Sequence, residues 1–213
     1  MHAAALVANV ITDATDRLDD LASSWWFLLA IFAIALLDSM VPIVPSETTV
    51  IIGAVTVAIG EAPYALWMVM IVGATGAFIG DTSAYGIGRR WSGWFHRRAT
   101  SKPRTARQLL WASDQIRRRG GALLITARFI PGGRTALTLS SGITQQPKAW
   151  FVKWAMIAVA LWATYSAGLA YIVGRPFRDD HTAAFWVAFG TALGVNVLIE
   201  LGRFVIKRRN AAT

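Results

Sequence analysis

Two long apolar stretches of this chain are each cut near the middle by proline and by charge, and few folds accommodate that. The first runs WWFLLAIFAIALL over residues 25–37, stops at DSMVPIVPSE (38–47) and resumes as TTVIIGAVTVAIG (48–60). The second, GALLITARFIPGGRTALTLSSGIT (121–144), repeats the order of apolar half, break, apolar half. Proline lacks a backbone donor and clashes with the preceding turn, so a helix ends at each break. Each half is shorter than the roughly 20 apolar residues that a helix needs to cross a bilayer. Broken backbone at membrane depth persists only where it is buried in protein or lines a watery cavity. The pattern therefore predicts two re-entrant helical hairpins, over about residues 25–60 and 121–144.

Composition places these hairpins in a membrane. Of the 213 residues, 55% are hydrophobic and 15% charged, against roughly 25% charged in soluble domains. Continuous apolar spans are predicted at about 64–88, 149–174 and 182–206. Gly73, Gly76 and Gly80, with Gly86 and Gly88 beyond, suggest close helix–helix approach. Ten tryptophans suit anchoring at the bilayer interfaces. The expected fold class is an all-α membrane protein, a polytopic bundle with two opposed re-entrant hairpins and the character of an inverted repeat. Residues 1–23 are expected to form an amphipathic helix ahead of a membrane domain over 24–206, with a basic tail at 207–213. With Asp13, Asp16, Asp19 and Asp20 ahead of the first long apolar run and no basic n-region, no secretory signal peptide is expected there.

The net charge of +9 is unevenly spread, and its distribution decides what it means. Residues 89–119 carry ten of the 21 Lys and Arg against one acid, Asp114. Such a loop beside membrane spans marks the cytoplasmic side. Trp91, Trp94, Phe95 and Trp111 within it suit contact with anionic lipid rather than nucleic acid. With 89–119 and 207–213 inside, residues 175–181 lie outside and the hairpins dip in from opposite faces. No cysteine is present, and His2, His96 and His181 share no ligand spacing, so neither a metal nor a cofactor is expected. No Ser-His pair or HExxH motif appears, and no enzymatic activity is expected.

Chemistry is expected where charge meets the breaks. A charge at the bilayer centre costs about 2.5–3.5 kcal/mol on insertion scales, so Asp38, Glu47, Arg128 and Arg134 need partners or solvation. Hairpins meeting tip to tip would bring the carboxylates near the guanidiniums. Arginine is permanently charged and matches phosphate oxygens bidentately. Pro131, Gly132 and Gly133 free backbone N–H groups before a half-helix expected to start near Thr135, and a helix N-terminus after a glycine turn favours anions. Arg128, Arg134, Gly132 and Gly133 are thus candidate anion ligands, with Pro131 and Thr135 in support. Asp38 and Glu47 are titratable and suit proton coupling, although Ser46 as a helix cap, next to Pro45, with Glu47 in the first turn, is an ordinary local arrangement too. Asp81, with Tyr85 one turn on, is a supporting candidate expected near the cytoplasmic interface, where hydration competes with function. Snorkelling to the interface suits Arg128 better than Arg134.

These residues resemble motifs of the DedA family, also described as SNARE-associated or VTT-domain membrane proteins. DSMVPIVPSE resembles its first hairpin, with Asp38 where glutamate is usual. GDTSAYGIGR, from Gly80 to Arg89, and RFIPGGR, followed by Ser141-Gly142, are similar to the later motifs, with departures at Ser141 and Gln145–Gln146. The resemblance implies opposed re-entrant hairpins, a multi-pass protein of the bacterial cell membrane, and functional acids and arginines falling on Asp38, Glu47, Arg128 and Arg134. It also implies dependence on the proton gradient and, for some members, transport of undecaprenyl phosphate between leaflets. The expected function is a lipid-phosphate transporter, most specifically a proton-coupled undecaprenyl phosphate flippase. Protons and a polyprenyl phosphate are the expected partners, and a homodimer is left open. A proton-coupled carrier of small solutes or ions, and a non-transporting membrane scaffold, are the alternatives.

Overall fold

The computed structural model describes residues 22–40, 46–94, 97, 107, 114, 116, 120–128, 133–177, 187, 190, 191 and 194. Among them the fold is all helical: α1 (Trp26–Met40), α2 (Ser46–Ile59), α3 (Leu66–Arg90), α4 (Ala122–Ala127), α5 (Gly133–Ile143) and α6 (Lys148–Gly174), closed by a 3₁₀ turn at Arg175–Phe177. At 1.5 Å per residue, α3 and α6 reach about 37 and 40 Å, whereas α1 and α2 reach only about 22 and 21 Å. By length and composition α3 and α6 can cross a bilayer, and α1 and α2 are shorter apolar helices. The expected N-terminal helix and the span at 182–206 fall almost wholly outside the described residues, as does most of the basic loop.

Helix ends follow local chemistry. Gly60 takes a left-handed conformation (φ 94°) and terminates α2 without the steric cost that a side chain would carry. Arg89 and Arg90 sit in the last turn of α3, where cations suit the helix dipole. Just before α3, the Tyr64 hydroxyl donates to the Ala22 carbonyl at 2.6 Å. Burial pushes that phenol well above its ordinary range, so it remains a donor.

Packing turns small residues inward and bulky apolar ones outward. The buried face of α3 is Val69, Gly73, Gly76, Ala77, Gly80, Asp81, Ala84, Tyr85 and Gly88, while Trp67, Ile71, Ile79 and Ile87 are exposed. A side chain at Gly76 would strike the Phe32 carbonyl, and one at Gly80 would meet the Leu36 carbonyl and Ser39 Cβ at 2.5 Å. The backbones of α1 and α3 therefore touch, as small residues permit in membrane bundles. Further along, Gly88 lies against the Leu139 carbonyl and Gly142 against that of Tyr85, which docks α5 on α3. Gly86 does not share this role: a Cβ there would meet nothing within 4 Å. Nonpolar packing with α6 completes the core through Val159, Trp162, Ala163, Ala167 and Ala170.

Candidate functional site

The breaks place charged residues at helix ends, and those ends meet against the middle of α3. Asp38 lies at the end of α1, Ser46 and Glu47 open α2, Arg128 caps the end of α4, and Arg134 is the second residue of α5. Asp81 projects from α3 among them and is 2% exposed. Its Oδ2 accepts from Arg128 Nη1 at 2.6 Å, and its Oδ1 lies 3.5 Å from Arg134 Nε. Arg134 Nη2 reaches Asp38 Oδ2 at 3.1 Å. The cluster thus joins two acids and two arginines in one chain, Arg128–Asp81–Arg134–Asp38, whose formal charges cancel.

Neutral groups fix this chain in place. Ser46 Oγ donates to Asp38 Oδ2 at 2.5 Å, linking the start of α2 to the end of α1. Ser39 Oγ accepts from Arg134 Nη2 at 2.9 Å and faces the carbonyls of Ala35 and Ala77 at 3.0 and 3.2 Å. Thr135 Oγ1 donates to the Ser39 carbonyl at 3.1 Å. The bare face of Gly80 admits Ser39 this close to α3, one residue before Asp81. On the far side, the Arg128 guanidinium lies over the Trp162 ring, 5.3 Å from its centroid, an attractive arrangement for a desolvated cation.

Polar valence is left over in this cluster. Arg128 has a side chain 2% exposed, yet its Nε and Nη2 have no hydrogen-bond partner. Asp81 Oδ1 is also buried without one. A buried donor without a partner costs about 1–3 kcal/mol, more for a charged group. Two spare donor nitrogens on one buried guanidinium, beside a second arginine, match what a tetrahedral oxyanion would accept.

Chemistry-bearing residues read from sequence are distributed as follows. Asp38, Ser46, Arg128, Arg134 and Thr135 come together. Asp81 is central and buried, not hydrated at a helix end, because the glycine face of α3 turns it toward the arginines. Arg128, expected to snorkel more readily, is the more buried arginine. The helix expected to start near Thr135 begins at Gly133, so Arg134 is already within its first turn. Glu47 lies in the first turn of α2, within electrostatic reach of Tyr165 on α6. Pro45, Pro131 and Gly132 fall outside the described residues. Ser39 and Trp162 were not expected. A tryptophan in the middle of a span, away from either interface, was the available signal for the second.

Among known proteins, the sequence matches the VTT domain over residues 44–172, more than half of the chain. The chain belongs to the VTT-domain (DedA) family. This VTT domain covers α2 to α5, all but the last two residues of α6, and all the charged side chains above except Asp38, which lies just ahead of it. The chain is 27% identical to an uncharacterized membrane protein of Synechocystis sp. over 200 residues, covering 91% of this chain and 90% of that protein. It is also 27% identical to undecaprenyl phosphate transporter A of Bacillus subtilis over 173 residues, covering 81% of this chain and 86% of that protein. No solved structure matches.

Tyr85 serves a different place in the VTT domain. Its hydroxyl donates to the Gln146 carbonyl at 2.7 Å and accepts from Arg89 Nη1 at 2.9 Å, while Arg89 also reaches that carbonyl at 3.1 Å. Its ring stacks on Phe151 with centroids 4.3 Å apart. The departure from family pattern at Gln146 is harmless to this contact, since the acceptor is main chain.

Proposed function

We propose that this protein is a membrane transporter of a lipid phosphate, undecaprenyl phosphate foremost, driven by the proton gradient across a bacterial cytoplasmic membrane. The observation that carries this reading is Arg128: a buried guanidinium at the end of α4 with two donor nitrogens unused, sharing Asp81 with Arg134 in the first turn of α5. The similarity to a protein named for undecaprenyl phosphate transport supports the substrate class. In this reading α1–α2 and α4–α5 are the arms of two opposed re-entrant hairpins, and the arginines receive the phosphate where their tips meet. Gly132 and Gly133 add main-chain donors, and Pro45 and Pro131 make the breaks.

Transport requires that the phosphate be desolvated while the isoprenoid tail stays in lipid. Two arginines replace the lost hydration of the head group, and Trp162 holds one of them in orientation. Protonation of Asp38 and Glu47 reduces the negative charge that competes for the arginines and ties occupancy to the proton gradient. Release follows when the carboxylates ionise and recapture them.

Reconstitution in liposomes with a labelled polyprenyl phosphate in one leaflet and an imposed pH gradient tests this. Wild type is expected to move the label, and Arg134→Ala and Glu47→Gln to lose most of the rate while remaining folded. A wild type that moves no lipid, or folded variants that match its rate, refutes the reading. The mutual neutralisation of Arg128, Asp81, Arg134 and Asp38 favours a second reading, a structural scaffold. There the same variants would lower protein abundance and leave any residual transport per molecule unchanged.

A further inference from the structure

We propose that Asp81 is the resident counter-anion of the arginine pair, which an incoming phosphate must displace and which must retake Arg128 for the phosphate to leave. This rests on the reading of the cluster as a phosphate site and assigns a positioning residue within it.

Geometry separates Asp81 from Asp38. Asp81 is the acid bonded to Arg128, the arginine with spare donors, at 2.6 Å, and it also faces Arg134 at 3.5 Å. Both of its named charge partners are the arginines, and its Oδ1 has no hydrogen bond. Its side chain is 3% exposed, so no bulk water screens it. Asp38 is 21% exposed and is held by the Ser46 hydroxyl as well as by Arg134. Asp81 therefore depends on the arginines for nearly all its solvation, and whatever takes Arg128 from it changes its energy most.

Charge balance gives this a direction. The four side chains sum to zero, so a phosphate joining them leaves a buried net negative charge. Like charges within ~4–6 Å shift an ionic equilibrium by about one pK unit or more. Removing the Asp81 charge should then tighten phosphate binding by about tenfold. A residue that only scaffolds the arginines would do the opposite, because its loss would disorder them. The same substitution should slow turnover, since nothing competes the phosphate off Arg128. Tighter binding with slower transport is thus the signature.

The test uses the purified full chain in detergent, titrated with farnesyl monophosphate, inorganic phosphate and farnesol. Asp81→Asn is expected to bind farnesyl monophosphate about tenfold more tightly than wild type, Asp38→Asn to show a smaller gain, and farnesol to bind all three alike. A gain shared by inorganic phosphate assigns the site to the head group, and one confined to farnesyl monophosphate assigns it to the lipid. Both support the displacement. In liposomes Asp81→Asn is expected to transport more slowly than wild type. A folded Asp81→Asn that binds no better than wild type overturns the proposal while leaving the phosphate reading standing. Absence of phosphate binding by wild type overturns both. Should Asp81→Asn not fold, infrared difference spectra of Asp38→Asn labelled at its aspartates decide: farnesyl monophosphate must perturb a carboxylate band, and an unchanged band overturns the proposal.

Discussion

Two polar clusters hang from α3 one turn apart, and they are built on different principles. Around Tyr85 every polar atom in the contact has a partner, the acceptor is a main-chain carbonyl, and the ring is clamped on Phe151. Around Asp81 the partners are side chains from separate helices, the charges cancel only as a set, and buried donors remain unused. The first arrangement is what a joint between α3 and the α5–α6 turn needs. The second keeps its interactions exchangeable, at a cost in stability that an ordinary core would have removed. Spare polar valence, more than charge itself, separates a site from a strut.

The largest break in this comparison is expected from Arg128→Met. It leaves Asp81 buried without its closest partner and should cost about 3–5 kcal/mol. Adding Asp81→Leu should recover most of that stability, because apolar replacement of a whole buried pair is often neutral or stabilising. Thermal unfolding in detergent reads the rescue, and phosphate binding should stay lost in the double variant. Next comes Gly80→Ala. Its methyl group would push α1 off α3, with a cost of about 1–3 kcal/mol, and would carry Ser39 away from Arg134. The same melting assay, with phosphate affinity measured beside it, should show both falling. The smallest effect belongs to the joint. Tyr85→Phe should lose about 1 kcal/mol and leave phosphate affinity unchanged, and Gln146→Ala should stay within about 0.5 kcal/mol of wild type. A Tyr85→Phe variant that weakened phosphate binding as much as Gly80→Ala would erase the distinction between the clusters.

The breaks, the short arms and the two long helices were legible because proline, charge and apolar length are local properties. Partner choice was not. Asp81 and Glu47 both follow a small residue inside an apolar context, and nothing in either neighbourhood says which one faces Arg128. That depends on how α3 is rotated in the bundle, which is set by what its glycines meet on α1 and α5, segments tens of residues away in sequence. Gly86 and Gly88 show the same limit. They are two residues apart on one helix, yet only Gly88 meets a neighbour, because two residues advance a helix by about 200°. Ser39 was missed for a related reason: its importance comes from the missing side chain of Gly80 opposite.

Trp162 carries a practical consequence. Of the described tryptophans it is the one that is buried; Trp150 and Trp154 are half-buried, and Trp25, Trp26, Trp67, Trp91 and Trp94 are exposed. Quenchers in water or lipid can therefore silence the exposed indoles and leave its emission comparatively intact. An indole under a guanidinium responds to the local field. The fold has in effect placed an optical voltmeter beneath Arg128, which can follow the charge of the cluster without a label.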